Sequence, residues 1–143
     1  MLKIIIPGTP ISKHRPRFAR RGKFATTYSD QVTEEGKTFL HIKEQVNGHK
    51  PFKGAVSVQS VFYMPRPKAH FGTGRNEGKL KPSAPQYHTN KPDVDNFLKF
   101  YFDIMNDLVW HDDSQVVSEY SEKKYCGPGE QARVEIGVME LQK

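Results

Sequence analysis

Apolar and polar positions recur with two different periods along this chain, and the changes of period divide it into elements. Residues 2–6 (Leu-Lys-Ile-Ile-Ile) read as a short strand that Pro7 ends, because proline brings no donor to a ladder. Residues 31–46 carry Val32, Phe39, Ile42 and Val46 at helical spacing, with Leu40 beside them and Glu34, Glu35, Lys43 and Glu44 elsewhere. That pattern predicts a helix capped by Ser29 or Asp30 and stopped by Asn47-Gly48. Over 54–64 the period becomes two: Val56, Val58, Ser60 and Phe62 share one face, and Ser57, Gln59, Val61 and Tyr63 the other. Helical spacing returns over 96–106, where Phe97, Phe100, Tyr101, Ile104 and Met105, with Leu108 beyond, form an apolar face so broad that its aromatic rings belong to a core. Two closing strands, 116–125 and 132–141, are joined by a turn sequence containing Gly127-Pro128-Gly129 and are expected to pair as a hairpin. The sum is an α/β (α+β) fold: a small mixed β-sheet of about four strands with two packing helices, in a single domain spanning 1–143.

Two stretches follow neither period, and charge sets them apart. Residues 11–27 read as an arm or long loop, with Phe18, Phe24 and Tyr28 interleaved among basic side chains. Residues 65–92 hold Pro65, Pro67, Pro82, Pro85 and Pro92 with three glycines, and read as a long basic loop closing over or reaching past a site. The chain has 22 Lys and Arg against 16 Asp and Glu, a net charge of +6, and the excess sits in these two segments. Lys13, Arg15, Arg17, Arg20, Arg21 and Lys23 in the first, and Arg75, Lys79, Lys81 and Lys91 in the second, are the candidate contacts to the phosphates of a polyanion such as a nucleic acid. A solvated arm and a disordered insertion are the plainer readings of the same composition.

Between the basic segments lies an acidic one. Lys91-Pro-Asp-Val-Asp-Asn-Phe-Leu-Lys99 is followed by Asp112-Asp113-Ser-Gln115. Residues two apart do not share a helix face, whereas residues four apart do. If Asp93 and Asp95 serve one ion, Asp93 must stand in extended chain before the helix and Asp95 at its start, with Lys99 one turn along. Adjacent Asp112 and Asp113 point differently, so Asp113 is the expected third ligand. Asp112 is left as a possible further ligand, an outer partner or a turn residue. Converging carboxylates repel one another unless a cation is present, and hard oxygen donors suit Mg2+ or Mn2+. Such an ion assists phosphodiester hydrolysis by orienting water and stabilising developing charge. Lys99 is positioned to hold Asp95, a phosphate oxygen or the leaving oxygen. Helix capping by Asp93 and Asp95 is the competing explanation of the short motif, though it requires neither Lys99 nor the second pair.

Other chemistries find less support. The lone Cys126 excludes an intrachain disulfide and a thiolate zinc site, and His70, His88 and His111 do not form a zinc motif. Phe71-Gly-Thr-Gly-Arg75 is too short for a nucleotide-binding loop. No apolar run suggests a membrane span or a secretion signal, so a cytoplasmic protein without membrane partners is expected.

The string from Lys91 to Lys99, followed by Asn106-Asp-Leu-Val-Trp-His-Asp-Asp-Ser-Gln-Val-Val117, resembles the RusA-type Holliday junction resolvases, small endodeoxyribonucleases often carried by phages and prophages. The resemblance implies a RusA-like fold and a homodimer that binds four-way DNA junctions and nicks opposing strands with Mg2+ or Mn2+, leaving 5′-phosphate and 3′-hydroxyl ends. It makes Asp93, Asp95 and Asp113 the essential acidic residues and Lys99 the important lysine. Asp112 becomes the first member of the acidic pair, and Asn96 and Gln115 recurrent polar positions. A crossover junction endonuclease in DNA recombination and repair is therefore the expected function. A nucleic-acid-binding module without catalysis is the alternative.

Overall fold

The computed structural model describes residues 1–14, 17–21, 24–28 and 31–143, with backbone alone for 17–21 and 24–28. Four strands form the main sheet: β1 (Leu2–Pro7), β4 (Val56–Met64), β5 (Val116–Tyr125) and β6 (Arg133–Glu140), in the order β1-β6-β4-β5. β6 pairs antiparallel with both β1 and β4, while β5 runs parallel to β4. Helices α1 (Val32–Gln45) and α2 (Val94–Met105) pack on this sheet. The mixed four-stranded sheet with two helices is thus the architecture expected from the periodicities.

The expected hairpin between the last two strands is not formed. β4 lies between them, with Ser60 opposite Ser121 on one side and Ile136 on the other. Burial explains the exchange. β4 alternates regularly and buries Val56, Val58, Phe62 and Met64, so it takes an interior position. β5 carries Ser118, Glu119, Tyr120, Ser121, Glu122, Lys123 and Lys124, a composition suited to a strand with one neighbour. The connection after β5 crosses the end of β4, where the Cys126 amide donates to the Met64 carbonyl at 3.0 Å.

One face of the sheet makes the core. Ile4 and Ile6, Val134, Ile136 and Val138, and Val58 and Phe62 meet Ile42 and Val46 of the first helix end and Phe97, Phe100, Tyr101 and Met105 of α2. Phe62 stacks on Phe97 with centroids 4.8 Å apart, which confirms the aromatic residues of α2 as core. The face expected for α1 needs correction: Val32 and Leu40 are 69% and 64% exposed and Phe39 is exposed, while Thr38, Ile42 and Val46 are buried. Two glutamines set this rotation. The Gln31 side chain turns inward, accepting from the His14 amide at 2.7 Å and donating to the Ser12 carbonyl at 2.7 Å. One helix length away, the Gln45 amide accepts from Ile5 N–H at 2.7 Å and donates to the Ile5 carbonyl at 2.6 Å.

The segment read as an arm contains a second, two-stranded sheet: β2 (Arg17–Arg21) pairs antiparallel with β3 (Phe24–Tyr28), Arg17 opposite Tyr28 and Arg21 opposite Phe24. Phe18, Phe24, Thr26, Thr27 and Tyr28 are strand formers whose signal the dense arginines obscure. Arg15, Lys23 and the proposed caps Ser29 and Asp30 lie outside the described residues, as do the side chains of Arg17, Arg20 and Arg21. The chain entering the ribbon is sewn to α2, with the Ile11 amide donating to Tyr101 Oη at 2.9 Å and the Lys13 amide to the Asn96 carbonyl at 3.0 Å. No helix among the described residues is long and apolar enough to cross a membrane.

Candidate active site

The first limb of the site is the entry to α2. The Lys91–Pro92 peptide is cis, and Asp93 follows in extended conformation with φ −72° and ψ 152°. Asp93 is the N-cap by position, and its carbonyl accepts from the Asn96 amide at 3.1 Å. Its carboxylate makes no capping hydrogen bond. A side chain of the preferred capping type therefore stands at the capping position and leaves the helix amides alone. Asp95 lies in the first turn, and the Lys99 ammonium is 3.9 Å from its Oδ2, with the two side chains 65% and 68% exposed. An exposed ion pair of this kind contributes little stability. The extended Asp93, the helical Asp95 and the i,i+4 lysine are the arrangement that the spacing requires.

The second limb is a tight return. Asp107 adopts a positive φ of 65°, and its amide donates to the Trp110 carbonyl at 2.7 Å. Trp110 is fully buried, donates from Nε1 to Asn106 Oδ1 at 2.7 Å and meets Phe102 edge-on at 5.2 Å. The turn brings the chain back beside α2 and delivers Asp112 and Asp113. Asp113 opens a 3-10 turn, Asp113–Gln115, and the strand itself starts at Val116, as the sequence pattern predicts. Asp112 caps that turn, accepting from the Ser114 amide at 2.9 Å, and these bonds hold its carboxyl below the usual range. Gln115 closes the box: its Oε1 accepts from the amides of His111 and Asp112, both at 2.9 Å. Its Nε2 donates to the carbonyls of Phe52 and Gly54 at 2.8 and 2.9 Å. Gln115 is thus the pin that fixes this turn to the chain before β4.

The adjacent carboxylates differ in electrostatics as well as direction. Burial, then the negative charges of Asp112 and Asp103, push Asp113 above the usual carboxylate range. Asp103 is a residue that reasoning from the motif misses, although it lies one turn beyond Lys99 and two beyond Asp95 on the exposed face of α2. The structure therefore brings Asp95 to Lys99, and sets Asp113 within electrostatic reach of Asp103. Among the described residues no group of three His, Cys, Asp or Glu side chains is close enough to hold a metal ion. The donor chemistry, carboxylate oxygens on exposed chain, suits a hard divalent cation, and the single chain leaves those donors apart.

The candidate DNA contacts divide into two groups. Lys13 is engaged: its ammonium lies 3.4 Å from Asp103 and 3.7 Å from Glu35, bridging the two helices. Arg75, Lys79, Lys81 and Lys91 are exposed. The loop carrying them is a built structure, with 3-10 turns at Lys68–His70 and Gly74–Asn76 and bridges from Phe71 to Leu80 and from Gly72 to Glu77. Arg66 anchors it, donating to the carbonyls of Cys126 and Pro85 at 3.1 and 2.7 Å while lying over the Tyr125 ring. His70 and His88 meet the same ring edge-on, and burial, followed by the charge of Lys123, lowers the pKa of His88.

Fold and site together define a small mixed α/β protein that carries carboxylates on a helix entry and a pinned turn, flanked by basic segments. The model of the endodeoxyribonuclease RusA family matches residues 7–139, and the chain belongs to that family. Membership carries a nuclease role in general. The chain is also similar to the uncharacterized protein YqaN of Bacillus subtilis (strain 168), with 29% identity over 143 residues that cover 98% of this chain and 96% of the relative.

Proposed function

We propose that this chain is a metal-dependent, structure-selective endodeoxyribonuclease that resolves four-way DNA junctions by paired phosphodiester hydrolysis, acting as a homodimer. The observation that carries the reading is the Asp93 carboxylate, held at a helix entry and left out of capping. Asp93, Asp95 and Asp113 would hold Mg2+ or Mn2+, which when bound supplies charge neutralisation and an activated water at the scissile phosphate. Asp112 is spent on its own turn and orients Asp113. Lys99, beside Asp95, offers its ammonium to a phosphate oxygen. The exposed cations of the 65–92 loop, with the basic ribbon, bind the DNA backbone, and recognition rests on the shape of the branched substrate. A twofold dimer presents two sites to two strands.

The test is incubation of labelled four-way junction and matched linear duplex with Mg2+, Mn2+ or EDTA, alongside Asp113→Asn. Paired nicks in the junction alone, absent with EDTA and in the variant, are expected. Equal cleavage by the variant would remove Asp113 from the site. Tight junction binding without cleavage under either ion would instead make the chain a binding module.

A further inference from the structure

Lys123 lies on β5, on the sheet side that faces the helices, with the buried Phe62 as its register partner on β4. A lysine on such a face is costly unless its ammonium finds partners. Its neighbours on the strand are otherwise engaged, Glu122 lying 3.5 Å from Lys124. Among the described residues no carboxylate pairs with Lys123. Its ammonium instead donates to two main-chain carbonyls, Asn90 at 2.5 Å and Pro92 at 2.7 Å. Its own carbonyl accepts from the His88 amide at 3.1 Å. One residue thus grips the chain at three points between 88 and 92, immediately before Asp93.

We propose that Lys123 is a positioning residue for Asp93, fixing from the sheet the peptide plane from which that carboxylate departs. The proposal rests on Asp93 being a metal-binding carboxylate of the nuclease site. The Pro92 carbonyl and the Asp93 amide share one rigid plane, so a bond to the first orients the second. On the other side, the Asp93 carbonyl accepts from the amides of Asn96 at 3.1 Å and Phe97 at 3.4 Å. The backbone of Asp93 is therefore held before and after, and its carboxylate stays free of capping. Charge-assisted bonds to carbonyls are about twice as strong as neutral ones, which suits an ammonium to this task. Support of a ligand by such outer partners is worth about 10- to 100-fold in metal affinity or activity.

Wild type, Lys123→Met, Lys123→Arg and Asp93→Asn are compared in three measurements. These are the amide chemical shifts of Lys91 and Asp93 without metal, Mn2+ affinity from the resonance signal of free Mn2+, and junction cleavage against Mn2+ concentration. Lys123→Met is expected to shift both amide signals, whose peptide carbonyls lose the ammonium, to bind Mn2+ about 10-fold more weakly and to need correspondingly more of it for half-maximal cleavage. Lys123→Arg, which still reaches a carbonyl, is expected to recover most of the loss. Wild-type Mn2+ affinity in Lys123→Met, with affinity lost in Asp93→Asn, would overturn the positioning role and leave the site reading intact. Wild-type affinity in Asp93→Asn would remove the site reading itself. Should Lys123→Met fail to fold, Lys123→Gln takes its place, and loss of the fold in both would assign Lys123 to stability alone and overturn the proposal.

Discussion

Asp113, a metal ligand on the proposed reading, shows in one side chain the conflict between holding a fold together and holding a cation. Burial and the carboxylates of Asp112 and Asp103 raise its pKa, so the folded state binds its proton more tightly than the unfolded chain does. Below the ordinary carboxylate range both states are protonated and Asp113 costs nothing. As pH climbs from that range through the raised value, ionisation penalises the folded state alone, and the penalty is complete at neutral pH. Metal-free Asp113→Asn is therefore expected to melt at a higher temperature than wild type at pH 7, and at the same temperature near pH 3. Thermal unfolding at the two pH values checks this, and a lower melting temperature for the variant at pH 7 would mean that the carboxylate has a stabilising partner. The neighbouring Asp112 runs the other way, because the Ser114 amide needs its ionised oxygen. Sequence adjacency conceals this division of labour, which becomes visible only once the turn is known to be capped.

At the scale of the element, the start of α2 separates a capping role from a functional one. An Asp that caps a helix costs about 1 kcal/mol when replaced by Ala. Asp93 makes no such bond, so Asp93→Ala is expected to change unfolding stability by less than about 0.5 kcal/mol in a denaturant titration while abolishing junction cleavage. A loss of stability near the capping value would return the motif to a structural role. This junction was legible in the sequence because Pro92 and the two-residue spacing permit few geometries. The partner of β5 was not, for a reason in the physics of turns. Gly127-Pro128-Gly129 reports that the chain reverses, and β5 and β6 do run in opposite directions. It does not report that a strand's width, about 4.8 Å on either side, is kept open for β4. The rotation of α1 was hidden differently: a single apolar stripe through Val32, Phe39 and Ile42 gives way to the polar anchors Gln31 and Gln45, whose bonds lie 17 and 40 residues away in sequence. Local propensity carries no record of such partners.

For the whole molecule, the proposed function makes the arrangement of charge the determinant of how DNA is met. The exposed Arg75, Lys79, Lys81 and Lys91 stand on a loop tied to the sheet through Arg66 and Tyr125. Lys13, by contrast, is neutralised between Glu35 and Asp103. Replacing Arg75, Lys79 and Lys81 together by Ala is expected to lower the slope of log affinity for junction DNA against log salt by about 2 to 3, since each phosphate contact contributes about 0.9. Lys13→Ala is expected to leave that slope unchanged. Binding measured across a salt series distinguishes the two, and an unchanged slope in the triple variant would place the DNA elsewhere on the surface.

The bond pair between Gln45 and Ile5 has a bearing on what this protein does in company. β1 is the outermost strand on its side of the sheet, and its outward-facing residues alternate, so Lys3, Ile5 and Pro7 are the ones whose main chain looks away from β6. Proline has no donor there, and Gln45 already answers both groups of Ile5. A foreign strand arriving at this border would find a complete donor and acceptor pair only at Lys3, with a charged side chain beside it, and at Pro7 a carbonyl alone. The side-chain amide thus acts as a counterfeit strand one residue long, and Gln45→Ala is expected to turn a clear solution into one that scatters light on prolonged warming, where wild type stays clear.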